Sequence, residues 1–236
     1  MNKKTPEEIK AELIRINELE GMTDIGFFTS PTDNRELNYG ISIVFPLSRE
    51  VIKEILIENK PTHSYFHHYR TVNFYLDGYM LRLGNFLQKN GYKYVCVGAS
   101  QSIPTKDSPH GYSGRFSHKK GATLSGLGYI GTNNLFLHKQ WGPCVRLGTV
   151  LTDCPLVLEN PTLVPNTTCL GCQACVTACP ANAIRGEIYE VGMEDFKLLD
   201  ARACSEYMKR EYKMIGRGSV CGVCMATCAK RFFDWE

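Results

Sequence analysis

Cys169-Leu-Gly-Cys172-Gln-Ala-Cys175-Val-Thr-Ala-Cys179-Pro180 spaces its cysteines as C-x2-C-x2-C-x3-C-P. Three thiolates separated by two residues can wrap three corners of one iron–sulfur cubane. The fourth is carried onto the following turn, points away, and in two-cluster proteins ligates the other cluster. Pro180 ends that turn and has no N–H to place. Downstream come Cys204 and then Cys221-Gly-Val-Cys224-Met-Ala-Thr-Cys228, a looser set whose first member lies 17 residues before Cys221. Crossed ligation then completes two sets. Cys169, Cys172, Cys175 and Cys228 hold one [4Fe–4S] cluster, and Cys179, Cys204, Cys221 and Cys224 hold the other. Paired C-x2-C also binds structural zinc. The leading run is the more specific signal, and eight cysteines fit two cubanes with none over. A C-terminal ferredoxin-like module that moves single electrons is the expectation.

The chain has 11 cysteines, eight of them between Cys169 and Cys228. An odd count in a chain of 236 residues is unlike a small secreted disulfide scaffold and points to a reducing cytoplasm. Cys96, Cys144 and Cys154 sit in or beside strand patterns, where a free cysteine packs as a small hydrophobe. The N-terminal MNKKTPEEIKAELIRI carries acids and no apolar signal core, so no secretory signal is expected. Apolar runs such as Ile41 to Phe45 are far too short to span a bilayer, which argues against a membrane partner. The formal charge of +3 at pH 7 is too small to argue for nucleic acid or against it.

Upstream of the cysteines, helical and strand patterns alternate, as in an α/β or α+β domain. Residues 6–20 place Ile9, Leu13, Ile16 and Leu19 at spacings of four and three, the mark of an amphipathic helix. Tyr39 to Phe45 reads as a buried strand, and Ser48 as the cap of a helix through Ile52, Ile55 and Leu56. A long helix is expected from about Pro61 to Asn90, with Tyr69, Val72, Leu76, Tyr79, Leu83 and Phe86 on one stripe and Gly91 as its stop. Tyr92 to Val97 and residues 144–152 read as further strands. Between them, Gly98 to Lys120 has no period and suggests a functional or disordered loop. ENPTLVPNTT (159–168) reads as a linker. The expected organisation is thus an α/β domain at 1–160 and a double-cluster domain at 161–236.

Gly126-Leu127-Gly128-Tyr129-Ile130-Gly131 matches G-x-G-x-x-G. Dinucleotide binding needs a strand before that motif and a helix starting at it. Here HKKGATLS before it looks helical, and TNNLFLH after it looks like a turn and a strand, so the context is inverted. Three glycines in six positions let a flat ligand approach the backbone closely, or form a tight turn that packs the cysteine module. Asn133 and Asn134 add amide donors and acceptors.

GLGYIGTNNLFL (126–137), GPCVRLGTVLTDCPL (142–156) and the two cysteine groups together resemble the epoxyqueuosine reductases, relatives of the corrinoid-dependent reductive dehalogenases. The resemblance covers roughly residues 60–230. It implies a nitroreductase-like α/β domain that binds cobalamin base-off, with no lower protein ligand, and clusters that feed electrons to cobalt. Gly126, Leu127, Gly128, Tyr129, Ile130, Gly131, Asn133 and Asn134 would lie along the corrinoid, with Arg146, Leu147 and Gly148 near its side chains. The implied donor is a low-potential protein such as ferredoxin or flavodoxin, and the implied substrate a small molecule or modified nucleoside. The sequence departs from the family in two ways. Ser100 or Gln101 falls where the family carries a carboxylate, its expected proton donor. The chain also runs only eight residues beyond Cys228, so weak tRNA binding is expected.

Two other readings stand beside this one. The protein could be an electron-transfer protein that reduces a corrinoid or flavin partner, or a reductase with flavin in its own pocket. Tyr129, His118 and Arg115 are the catalytic candidates. Arg115, His118 and Lys119 would contact a corrinoid amide, a phosphate or an anionic substrate, or form a solvated basic helix start. His63 and His67, four apart, could share a helix face as metal ligands do, or serve at the surface or in capping with His68. The terminal RFFDWE is expected to cover a cluster.

Overall fold

A computed structural model gives the fold, and it describes residues 4–21, 24–30, 36–104, 106, 111–157 and 159–235. Part of the expected loop at 98–120 lies outside the described residues. The elements run α1 (Pro6–Leu19), β1 (Asp24–Thr29), β2 (Tyr39–Pro46), α2 (Arg49–Glu58), α3 (His63–Lys89), β3 (Tyr94–Val97), α4 (His118–Leu124), β4 (Gly128–Ile130), β5 (Phe136–His138), β6 (Val145–Thr152), α5 (Ala174–Ala178), α6 (Ala201–Glu211) and α7 (Val223–Ala229). Among the described residues, no helix is long and apolar enough to cross a membrane.

The chain divides into two compact units that interleave along the sequence. One comprises Met1–Pro46, Val72–Leu127 and Arg146–Val164, the other Leu47–Thr71, Gly128–Val145 and Pro165–Glu236. The units thus do not divide at a single point near residue 160; the last crossing between them falls at Val164–Pro165. Residues 47–71 and 128–145, however, pack with the cysteine module rather than with their sequence neighbours.

The first unit is built on a four-stranded sheet in the order β1-β2-β6-β3. β1 runs antiparallel to β2 and β3 antiparallel to β6. Helix α1 begins at a capping box, in which Thr5 accepts from the Glu8 N–H and Glu8 answers on the Thr5 N–H. Two donors without an intrahelical partner are thereby satisfied. Ile9, Leu13 and Ile16 are buried, whereas Leu19, the last helical residue, is 70% exposed and drops out of the expected stripe. The later part of α3 buries Val72, Leu76, Tyr79, Met80, Leu83 and Leu87 in the same unit. That is the three-and-four spacing expected, with Leu87 in place of Phe86 at its end. Against the sheet, Phe28 stacks on Phe116 with ring centroids 5.4 Å apart.

The second unit holds the α2 helix, the start of α3, the β4–β5 hairpin and the cysteine helices. α5 and α2 both pack on α7. Ile52 and Ile55 on α2 are buried, each contributing roughly 1.5–3 kcal/mol relative to exposure. Ser48 precedes α2 as expected, but its side chain makes no capping bond. Instead its N–H donates to His68 Nε2 at 3.0 Å. The terminal aromatics pack locally: Phe233 tilts against Trp141 at 6.4 Å, and the Arg49 guanidinium lies 4.0 Å from the Phe233 ring centroid.

Candidate functional site

All eight module cysteines fall in the second unit. α5 carries Cys175 and stops at Ala178. Cys179 follows with ψ 110°, the extended conformation that a residue before proline is pushed into. Its thiol thus leaves the helix that carries Cys175. Cys204 lies on α6, and Cys224 and Cys228 lie on α7. At four residues apart they share a helix face. Cys221 precedes Gly222, the left-handed N-cap of α7 at φ +85°. A side chain there would also press on Ile55 and Tyr65.

The charge neighbours of these thiols fall into two groups. Burial, followed by the nearby Cys169, Cys175 and Cys172 sulfurs, pushes the Cys228 thiol up to about 12. Cys204 is pushed up to about 11 by burial and then by Cys221 and Cys179. Cys224 rises for the same first reason, with Cys221, Cys204 and Cys179 as its main thiol neighbours. Cys175 reaches about 11 through burial and its neighbours Cys169 and Cys172. These are unfavourable sites for free thiolates, and iron binding would have to expel their protons.

Among the described residues, no three or more His, Cys, Asp or Glu converge tightly enough to hold a single metal ion. Cys179, Cys204, Cys221 and Cys224 instead line one cavity of about 200 Å³, together with Asn133 and Tyr65. Backbone donors reach both thiol groups: Thr132 N–H points to Cys169 Sγ at 3.5 Å and Ala183 N–H to Cys179 Sγ at 3.4 Å. Such N–H···S contacts help set the potential of a bound cluster. Tyr129 is buried and its hydroxyl donates to Thr168 Oγ1 at 2.6 Å. Burial raises its pKa, with Cys169 and Cys228 adding to the rise.

The glycine segment has the inverted context read from the sequence, with α4 before it and the β4–β5 hairpin after. Its cleared faces, however, are filled by protein. A Cβ on Gly128 would lie 2.1 Å from the Leu137 carbonyl oxygen, one on Gly131 2.7 Å from Leu137 Cδ1, and one on Gly126 2.6 Å from the Thr162 carbonyl oxygen. Close packing of the chain on itself therefore accounts for all three glycines. Leu127, Ile130, Asn133 and Asn134 are buried, and Asn134 takes a left-handed φ of 59°.

On β6, the half-buried Arg146 donates from Nε to Asn73 Oδ1 at 2.9 Å and from Nη2 to the Ala99 carbonyl at 3.3 Å. Leu147 is half-buried, and Gly148 leaves room for Met80. His118 is not part of a solvated helix start. Its Nε2 lies 3.1 Å from the Gly98 carbonyl and its Nδ1 2.7 Å from Thr149 Oγ1. A carbonyl only accepts, so Nε2 carries the proton and Nδ1 accepts from Thr149. Burial, assisted by Arg146, holds its pKa below the usual imidazole value. Arg115 presents its backbone N–H to Gln101 Oε1 at 2.9 Å. His63 and His67 are exposed. Cys144 and Cys154 are fully buried, as expected for packing cysteines, and Cys96 is half-buried.

Thr132 was not expected at the thiols, and Asn133 was expected along a corrinoid rather than at the cysteine cavity. The turn that carries both is brought to the cysteines by the hairpin, and no spacing in the sequence announces that approach.

Residues 168–231 match the 4Fe-4S double cluster binding domain family. The chain is 37% identical over 91 residues to the epoxyqueuosine reductase of Vibrio cholerae serotype O1, a match covering 39% of this chain and 21% of that protein. The matched segment spans about a fifth of the length of such relatives. An epoxyqueuosine reductase solved with an epoxyqueuosine-modified tRNA stem loop superposes with a TM-score of 0.63 at 15% identity, over 98% of this chain and 68% of that one. A reductive dehalogenase whose structure suggests a mechanism for B12-dependent dehalogenation superposes at 0.64 and 18% identity, over 94% of this chain and 30% of that one. The chain therefore shares the mixed α/β fold of both groups of enzymes. The expectation of weak tRNA binding finds no support in these likenesses.

Proposed function

We propose that this chain is a corrinoid-dependent reductase related to epoxyqueuosine reductase. Its two [4Fe–4S] clusters would supply electrons singly, and the corrinoid would supply the cobalt at which substrate is reduced. The observation that carries the reading is two sets of four thiols, buried at Cys169, Cys175, Cys179 and Cys228 and half-buried at the other four, gathered in one unit of a chain with the fold of both enzyme groups. The thiol groups and the cavity suit cubane clusters. Cys169, Cys172, Cys175 and Cys228 would hold one, and Cys179, Cys204, Cys221 and Cys224 the other. The Thr132 and Ala183 N–H groups would stabilise negative charge on the sulfurs of Cys169 and Cys179.

The residues assigned to the corrinoid fit it unevenly. The faces of Gly126, Gly128 and Gly131 are taken by the chain itself, and no step is built on them. Leu127, Tyr129, Ile130, Asn133, Asn134, Arg146, Leu147 and Gly148 remain proposed contacts on the strength of the resemblance, as does the nitroreductase-like description of residues 1–160. The substrate that goes with this reading is an epoxide-bearing modified nucleoside. The electron source is a low-potential protein such as ferredoxin or flavodoxin, and the setting is the cytoplasm.

The test is an anaerobic assay with cobalamin, a low-potential reductant and a tRNA stem loop bearing epoxyqueuosine. Loss of one oxygen from the nucleoside, read by mass spectrometry, supports the proposal. No change in a preparation with both clusters intact and cobalamin bound would refute that substrate. The filled glycine faces favour one alternative, an iron–sulfur protein that passes electrons to a separate corrinoid or flavin partner.

A further inference from the structure

Asn133 sits in the turn between β4 and β5 and is 3% exposed. Its Oδ1 accepts from the Leu135 N–H at 3.1 Å. That bond fixes the orientation of the amide, because only the oxygen can accept from a backbone donor. The Nδ2 edge is buried, with no hydrogen-bond partner among the described residues. The same side chain lines the cavity that also exposes Cys179, Cys204, Cys221 and Cys224. Buried amide donors are paired in the great majority of native proteins, so this one calls for an acceptor. Around it the cavity offers sulfur.

We infer that Asn133 Nδ2 donates a hydrogen bond to a sulfur of the cluster held by Cys179, Cys204, Cys221 and Cys224, and that this bond raises the reduction potential of that cluster. The inference rests on the proposal that those four cysteines bind a [4Fe–4S] cluster. Reduction adds one negative charge to the cluster, so an N–H donor stabilises the reduced form more than the oxidised form. Asn133 is thus a positioning and tuning residue rather than a catalytic one. The Leu135 bond sets its direction, and Gly131 leaves it room, since a Cβ there would come within 3.1 Å of Asn133 Oδ1.

Two variants of the full chain separate the donor from the turn. Asn133→Asp keeps the acceptor for Leu135 N–H but removes the donor, and Asn133→Leu removes the donor without adding charge. Iron content and a redox titration followed by electron paramagnetic resonance are read together, with the relevant signal identified as the one lost in Cys204→Ser. The expected result is about eight irons per chain in wild type and both variants. At a fixed potential the reduced-to-oxidised ratio of that signal should fall about tenfold, about 59 mV for a one-electron couple. In addition, wild-type protein labelled with 15N-asparagine should show a nitrogen coupling on that signal which Asn133→Asp abolishes. An unmoved potential at full iron content, or no such coupling in wild type, overturns the inference. Wild-type iron near half the expected amount would instead overturn the two-cluster reading on which it rests.

Discussion

Gly128→Ala separates two explanations of the glycine segment. A Cβ at Gly128 would stand 2.1 Å from the Leu137 carbonyl oxygen, 2.8 Å from Phe136 Cζ and 3.0 Å from His138 Cα. Ordinary contact begins at 3.4 Å, so the β4–β5 pair must open by more than about 1 Å, an overpacking strain of roughly 1–3 kcal/mol. The value belongs near the top of that range, because the obstructing oxygen is backbone and cannot rotate away. For a chain of this size, 3 kcal/mol lowers Tm by roughly 6–12 °C. The hairpin pairs Gly128 with His138 and Ile130 with Phe136, and its turn carries Thr132 to Cys169. Iron retention should therefore fall together with stability. The assay is thermal unfolding under anaerobic conditions, with iron analysis on the same samples. If Gly128→Ala keeps both its Tm and its iron yet loses affinity for cobalamin, the packing account of this glycine is wrong and the ligand-approach account is right.

Cys228→Ser should abolish the cluster of Cys169, Cys172 and Cys175 and spare the other, whereas Cys179→Ser should damage the cluster of Cys221 and Cys224. Electron paramagnetic resonance of the reduced variants reads this, and the opposite pattern would refute crossed ligation. His118 should contribute an acid-sensitive share of stability. Its folded pKa lies below the 6.5 of a free imidazole, so that share is present above about pH 6.5 and is lost as pH falls toward the folded value. Arg146 acts in the same direction as burial, while the Gly98 carbonyl and Asp77 oppose it. Replacement by Phe should lower stability at pH 7 and flatten its decline in acid. A decline as steep as that of wild type would show that another group titrates.

The cysteine run was legible because its spacing follows from the shape of a cubane, and the α1 and α3 stripes because helical periodicity is local. β1 gave no clear signal: Asp24–Thr29 is a short strand, and its place is set by pairing with β2 rather than by its own pattern. The packing of residues 47–71 with the cysteine module was not readable either. It depends on α2 docking against α7, a contact between residues far apart in sequence. The three glycines suit both clearance for a ligand and a tight packing turn in sequence, and at this hairpin their cleared faces are filled by the chain itself. The lysines beside His118 allow either a ligand contact or a solvated basic helix start, and only the fold turns its ring onto Gly98 and Thr149.

The central claim is that this fold joins a double-cluster module to a corrinoid. Titrating anaerobically prepared, iron-replete protein with cobalamin while recording the visible spectrum tests it most directly. The account predicts equimolar uptake and a shift to the base-off spectrum, because no histidine is assigned as a lower ligand. A spectrum that stays base-on, with the cobalamin passing freely through a filter that retains the protein, would contradict it.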